Sequence, residues 1–500
     1  MLRSIACLLI CLLLVLPAAA DRPNVLLITA DDLNWDSLGC FGNELDGITP
    51  NLDALAGQGT RFDHAYVAIA ICQPGRAAIM TSRYPHRSGA LGFDKINKGV
   101  PTLPETLREA GYYTAVIGKA THTVPSRRKT AFDESYAMGD LGFGRSHRRY
   151  RETTAGAIDN AKRQNKPFFL NVNLHDPHRP FANAAQENRQ KSKKRWEGVP
   201  LVENPYKPDE VPLPGFLPDL PEIRLEIAEY YTSVRRMDEI IGEVLKVLDE
   251  SGQADSTVVM FLSDHGIAVP FAKTNCWQHS NKTPMIIRWS GKTKAGAVID
   301  QTMVSSIDLT PTILDIVGLD NLEGADGKSF RGLIDPAVPS DGVGRDHVFV
   351  SINTLSSRKE FAMRGMITRT HGYVWNKWSD GKTAFKNESM SGRTFKAMAA
   401  AAENEPAIAQ RTNHYLYRSP QELYHYVDDA DALVNVFEQK GHRTYGCYAQ
   451  YRLLHQMRDT KDPQFEAYRS YLKSLPKEQA RGLPHFERGT NLPPDSPDGP

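Results

Sequence analysis

Ala70-Ile71-Cys72-Gln73-Pro74-Gly75-Arg76-Ala77-Ala78-Ile79-Met80-Thr81-Ser82-Arg83 is the stretch around which the chain is organised. It follows a run, Phe62 to Ile71, that reads as strand and loop, and it continues into Ala, Ile and Met residues of helical character. Gly75 allows a tight bend, and Pro74 fixes φ near a turn value. The pattern predicts Cys72 at the mouth of a helix, where backbone N–H groups favour negative charge. A buried free cysteine beside a turn gives the same local pattern, because free Cys is among the most buried residue types.

Outward from this stretch, apolar runs repeatedly end in charged residues. Asn24 to Ala30 has the pattern of a strand buried on both faces and ends in Asp31-Asp32. Adjacent carboxylates there repel unless a cation sits between them; the alternative is that Asp32 caps a turn and Asp31 is solvated. Tyr112 to Ile117 ends in Gly118-Lys119-Ala120-Thr121-His122, and Pro167 to Leu174 ends in His175-Asp176-Pro177-His178-Arg179-Pro180. That His pair reads as metal ligands, a cap or a substrate contact. Thr257 to Ser263 ends in Asp264-His265-Gly266, and Pro284 to Trp289 is one more strand. In open α/β sheets, ligand sites lie outside the carboxyl ends of strands.

Helices fill the intervals. Thr49-Pro50 opens the first, Glu222 to Ser251 is a long amphipathic core helix, and Ser306 to Gly318 is capped with a Gly stop. Lys207 to Pro221 is a Pro-rich surface loop. From about Asp335 the texture changes. Met363 to Trp378 alternates like antiparallel strands, Ser391 to Glu403 is a helix, and a last helix runs near Tyr448 to Leu472. The fold class is therefore α/β, a large central sheet flanked by helices, with a smaller C-terminal α+β domain. The expected divisions are a signal peptide over 1–20, a catalytic domain over 21–335, the α+β domain over 336–480 and a disordered Pro/Gly/Asp-rich tail over 481–500.

Arg3, the apolar run Ile5 to Leu16 and Pro17-Ala18-Ala19-Ala20 form an export signal with an Ala-x-Ala site. The run is shorter than the ~20 apolar residues a spanning helix needs, so no stable membrane insertion is expected. A lipid anchor on Cys7 would need an apolar region ahead of it, and Met1 to Ala6 is too short. Of the six cysteines, Cys40, Cys72, Cys276 and Cys447 remain in the exported chain, too few for a disulfide framework in a protein of this size. With 60 basic and 59 acidic residues, bulk charge implies no nucleic-acid partner. Two basic runs, Arg145 to Arg151 and Arg189 to Arg195, read as solvated loops or as a rim that attracts a sulfated polymer. The sequence fixes no oligomeric state.

Cys72-Gln73-Pro74-Gly75-Arg76 resembles the Cys-x-Pro-x-Arg signature of the type I sulfatases, and Asp31-Asp32, Gly118-Lys119 and Ser263-Asp264-His265-Gly266 follow in matching order. Within that family, His175 to Arg179, Ala228 to Asp238, Lys273-Thr274-Asn275 and Asp308 to Asp315 look like the heparan N-sulfatases (sulfamidases). His265, where sulfamidases have Asn, and the Lys119-x-x-His122 spacing look like iduronate 2-sulfatases. Ser82 stands where the family usually has Gly. The resemblance implies an alkaline-phosphatase-like fold and a Cys72 oxidised to formylglycine by a formylglycine-generating or sulfatase-maturating enzyme. It implies one divalent ion, calcium, bound by Asp31, Asp32, Asp264, His265 and residue 72. By the same resemblance Arg76 orients the nucleophile, Lys119 and Lys273 bind sulfate oxygens, His122 is the base that ejects sulfate, and His175 protonates the leaving atom. His178 is kept as a substrate contact.

These residue types suit the chemistry, since a transferring sulfuryl group needs fixed positive charge aimed at its oxygens. The expected reaction is removal of sulfate from a terminal sulfated aminosugar. The alternatives are a uronate 2-O-sulfatase or an algal polysaccharide sulfatase, a phosphodiesterase or phosphatase of the same superfold, and a non-catalytic sugar-binding relative.

Overall fold

The computed structural model describes residues 22–182 and 201–489. The expected export signal and the Arg189 to Arg195 run lie outside the described residues, as do residues 490–500 of the tail.

A mixed sheet of eight strands carries the molecule, in the order β5 (Glu134–Tyr136), β4 (Tyr113–Ile117), β6 (Phe168–Pro177), β1 (Asn24–Asp31), β7 (Thr257–Ser263), β8 (Met285–Trp289), β2 (Thr60–Phe62) and β9 (Ala297–Ile299). The first five run parallel, and β8 alone is reversed. Every residue of β1 is buried, as its mostly apolar sequence suits in a central strand covered on both faces. One layer includes the helix Pro221–Glu250, which presents Ile223, Ile227, Val234, Ile241 and Leu248 to the core; Ala77, Leu309 and Ile313 belong to the core on the other side. A two-stranded sheet pairs β3 (Ala65–Tyr66) with β10 (Val304–Ser305) just before the Cys72 stretch.

The C-terminal part is an antiparallel sheet of β11 (His347–Thr354), β12 (Glu360–Thr368), β13 (His371–Asn376) and β14 (Gln421–His425). Alternation along these strands sends Val348, Val350 and Val374 into the main core and Met366, Tyr373 and Leu423 toward the helices Arg443–Asp459 and Phe465–Ser474. The α/β reading with a smaller α+β part is thus what the chain forms. Two details differ. The single last helix is two, because Pro463 cannot continue a helix and Asp462 Oδ1 accepts from the Gln464 amide at 2.8 Å. The start of the expected disordered tail is instead helical, over Leu483–Arg488. No helix among the described residues is long and apolar enough to cross a membrane.

Candidate active site

Four adjacent strands, β4, β6, β1 and β7, deliver their carboxyl ends to one place. Register does the aligning. Ala30 lies opposite Ser263, so Asp31 and Asp264 emerge side by side, and Thr29 lies opposite Asn173. Asp31, Asp32, Asp264 and His265 are all fully buried.

Cys72 is the first residue of the helix Cys72–Thr81, as its sequence predicts. Gly75 is what lets this helix approach. A Cβ there would stand 3.1 Å from the Ile69 carbonyl oxygen and 3.5 Å from that of Asp264. One turn on, Arg76 reaches beneath the carboxylates. Its Nε and Nη2 lie 3.0 and 2.8 Å from Asp264 Oδ2, and it also donates to Thr29, Asn173 and the Ala30 carbonyl. A fully buried guanidinium with every side satisfied is a fixed charge rather than a mobile one.

Ligand atoms of Asp31, Cys72, Asp264 and His265 lie within 4.8 Å of one another, as do those of Asp31, Asp32, Cys72 and His178. Of the buried Asp31 carboxylate, Oδ2 is met by Lys119, whereas Oδ1 accepts no hydrogen bond. His265 Nδ1 donates to the Gly266 carbonyl at 3.0 Å, which leaves the lone pair of Nε2 facing Asp32 Oδ1 at 3.4 Å and Asp264 Oδ1 at 3.7 Å. A lone pair aimed at carboxylates, beside the unpartnered Asp31 Oδ1, is an arrangement that a divalent cation completes, and a His oriented through its other nitrogen is the usual posture of a metal ligand.

The cations stand around this acidic floor. Lys119 forms an ion pair with Asp31 Oδ2. Lys273 Nζ lies 2.9 Å from each oxygen of Asp32. His175 Nδ1 is 3.8 Å from Asp31 Oδ2, and its ring stacks on His178 with centroids 4.8 Å apart. Asp32, Lys119 and Thr274 all hold φ near +60° (65°, 50° and 62°), a left-handed backbone that costs of order 1 kcal/mol at each non-glycine residue and clusters at functional sites.

Charge states follow from this packing. Burial would raise the Asp31 carboxyl, but Lys119, His178 and Arg76 hold it well below the usual carboxylate range. Burial and the charge of Asp31 raise Asp264. Burial opposes the Lys273 ammonium, but the surrounding anions, Asp32 first, together outweigh it and push this group well up. Burial and then Asp31 push the Cys72 thiol well up, against the helix terminus; its Sγ lies 3.3 Å from His265 Nε2. Residue 72 as a thiol is therefore neutral, not a ready thiolate.

His122 lies on the short helix Ala120–Thr123, which packs against the Cys72 helix. Burial first, and then Lys119, lower it to about 4, so its ring is neutral at neutral pH. Burial and then Arg145 lower His175 well below its ordinary value.

All eleven expected site residues thus gather at this sheet end. The basic run Arg145 to Arg151 does not form a free rim. Arg145 is buried, donating to Asp176 Oδ1 at 2.9 Å, and Arg236 donates to both oxygens of the same carboxylate. Farther along, Arg148 pairs with Glu152, and Arg151 with Glu243 and Glu250, on the solvent side of the helix His147–Arg163. Sequence reading also missed residues that the site uses. Thr29 and Asn173 anchor Arg76, and the polar Asn171 and Asn173 inside an apolar strand were a readable sign. Glu388 was unforeseeable. It enters from the C-terminal part, 3.3 Å from Lys273 Nζ and 3.5 Å from His178 Nε2, and Lys273 above all lowers it to about 2.

With a divalent cation on its carboxylates, the arrangement would suit a tetrahedral oxyanion held between that cation and two lysines, beside residue 72. Comparison with known proteins points to one family. The sequence matches the sulfatase family model over residues 23–319. It is 34% identical to human (Homo sapiens) N-sulphoglucosamine sulphohydrolase over 321 residues, covering 61% of this chain and 62% of that protein. It is 26% identical to the iduronate 2-sulfatase of Mus musculus over 342 residues, covering 55% of this chain and 61% of that protein. The chain thus spans less than two thirds of the length of these curated relatives. Among solved structures, a protein in complex with its substrate D-glucosamine-2-N,6-O-disulfate superposes with a TM-score of 0.67 at 18% identity, covering 88% of this chain and 99% of that one.

Proposed function

The chain belongs to the sulfatase family, and from that premise we propose that it hydrolyses sulfate esters or sulfamates of sulfated glycans, with residue 72 oxidised from cysteine to formylglycine. The observation that carries the proposal is the convergence of Asp31, Asp32, Asp264 and His265 on Cys72, with Lys119 and Lys273 alongside. Asp31, Asp32, Asp264 and His265 would hold one divalent ion, and their hard oxygen donors favour calcium. Such an ion, when bound, supplies positive charge that offsets the charge on the sulfate oxygens.

The chain's own residues do the rest. Arg76, fixed by Asp264, Thr29 and Asn173, holds the Asp264 carboxylate and the Cys72 helix in one geometry. Lys119 and Lys273 meet the sulfate oxygens as fixed ammonium groups. His175 gives a proton to the leaving oxygen or nitrogen, and the sulfate's negative charge must raise this lowered group for it to do so. Once sulfate is held as an ester on one oxygen of the formylglycine hydrate, His122 takes the proton from the other hydroxyl of residue 72, the C–O bond to sulfate breaks and the aldehyde re-forms as sulfate leaves. On this account His122→Ala is expected to slow turnover by about 10²–10⁴-fold, while the first equivalent of desulfated sugar is still released. A rapid-quench experiment checks it, and loss of that first equivalent would place His122 in the first half instead.

For substrate we propose a terminal sulfated aminosugar, attacked exo. The sulfamidase-like stretches surround His175 and Lys273, where the leaving group is handled, and 34% identity to an N-sulphoglucosamine sulphohydrolase supports the same choice. His265 and the Lys119/His122 spacing favour a uronate 2-sulfatase as second reading, but they lie on the side that meets sulfate alone. The N-terminal signal supports action outside the cytoplasm. Side-by-side turnover of N-sulfoglucosamine and 2-O-sulfated uronate saccharides tests this. The aminosugar should be preferred; preference for the uronate, or activity only on internal sulfates, would overturn the substrate and leave the sulfatase reading in place.

A further inference from the structure

Glu388 is the charged group at the site that this mechanism leaves unused. It opens the single turn Glu388–Ser391 in the C-terminal part of the chain. Side-chain exposure orders the site from floor to mouth, with Asp32 at 0%, Lys273 at 1%, His175 at 14%, His178 at 20% and Glu388 at 36%. Sulfate belongs at the floor, between residue 72 and the lysines. Glu388 therefore meets whatever the sulfate is attached to.

Its position is built rather than incidental. Asn387 donates to the Lys273 carbonyl at 3.4 Å and accepts from the Tyr415 hydroxyl at 2.9 Å, Ser391 Oγ donates to the Glu388 carbonyl at 2.8 Å, and Ser389 is buried. An ionised carboxylate only accepts hydrogen bonds, and it repels a second anion. At the mouth of an anion-binding site this is a filter. It admits a ring whose edge carries hydroxyl or ammonium groups and rejects one carrying a carboxylate.

We propose that Glu388 is a specificity-determining residue, its carboxylate accepting hydrogen bonds from hydroxyl or ammonium groups of the sugar ring that bears the sulfate and excluding uronate rings. The inference rests on the sulfatase reading of the site. The competing role is purely positional, with Glu388 doing no more than balancing Lys273.

Wild type, Glu388→Gln and Glu388→Ala are compared by kcat/KM on N-sulfoglucosamine, a 2-O-sulfated uronate saccharide and an aryl sulfate without a sugar. Thermal melts and the mass of the residue 72 peptide verify that each variant is folded and equally converted. The aminosugar is expected to lose about 10- to 100-fold, the worth of hydrogen bonds to a charged group, and at least tenfold more than the aryl sulfate loses. The uronate-to-aminosugar ratio should rise by a similar factor. Equal losses on all three substrates would reduce Glu388 to a positioning residue for Lys273 and overturn the proposal, as would unchanged values on all three. A wild type that prefers the uronate overturns it directly. A converted wild type that cleaves none of the three fails the sulfatase reading itself, and the inference falls with it.

Discussion

Cys72→Ala is expected to abolish turnover, by about 10⁴-fold or more, while leaving the fold in place. The two halves of this expectation have separate grounds. Residue 72 sits where the acidic floor, Lys119 and Lys273 converge; losing the group that attacks removes a whole chemical path, not one contribution to it. The fold is insensitive because the side chain is small. Among the described residues its side chain makes one hydrogen-bonding contact, Sγ to His265 Nε2 at 3.3 Å, and alanine is a good helix former at the first position of Cys72–Thr81. Sulfate release and the thermal melt of the same preparation decide it. Activity within tenfold of wild type would remove residue 72 from the mechanism.

Asp264→Ala is expected to empty the cation site and to destabilise the protein as well. Among the proposed ligands Asp264 has a second duty. Its Oδ2 holds Nε and Nη2 of Arg76, and its Oδ1 accepts from the Asp32 amide at 3.2 Å, fixing the left-handed turn that presents Asp32. Removing one of three carboxylates relieves repulsion with Asp31, but it leaves the buried Arg76 without its nearest counter-charge. Direct contact outweighs relief, and breaking a buried pair costs about 3–5 kcal/mol. Cation affinity should weaken by at least about 100-fold, since even outer partners of metal ligands are worth 10–100-fold. Asp264→Asn separates the two effects. It keeps the shape and one acceptor for Arg76, so metal should still be lost while stability falls less. Elemental analysis with denaturant titration checks both variants; unaltered metal content would show that the ligands are wrong.

Much of the site was legible because a buried parallel strand has a simple sequence signature. Apolar runs that end in Asp31-Asp32, Lys119, His175 and Asp264 identify strand ends one by one, and the Cys72 helix mouth follows from Pro74 and Gly75. The sequence is silent on lateral order. That β6 and β7 flank β1, so that Thr29 meets Asn173 and Asp31 meets Asp264, is a matter of register between segments more than a hundred residues apart. Arg145 reads as part of a solvated loop or rim because a dense charge run usually faces water, as Arg148 and Arg149 do; its burial depends on Asp176, a partner 31 residues away in another element. Glu388 is the extreme case. Nothing around Asn387-Glu388-Ser389 marks it, and its meaning arises only when the C-terminal sheet packs against the loop that bears Lys273. That loop is held by Arg418, whose Nη1 donates to Asn275 Oδ1 at 2.7 Å, and by Trp277, which donates to Glu422 at 3.0 Å.

The central claim is that a converted residue 72, within this cage of carboxylates and lysines, releases sulfate from a glycan. The most direct measurement plots inorganic sulfate released from N-sulfoglucosamine against the fraction of chains whose residue 72 peptide has the mass of the aldehyde, across preparations matured to different extents. A line through the origin is the expected result. Sulfate release from a preparation in which every residue 72 is still cysteine would contradict the claim, and so would a fully converted, metal-loaded preparation that releases none from this or any other sulfated saccharide.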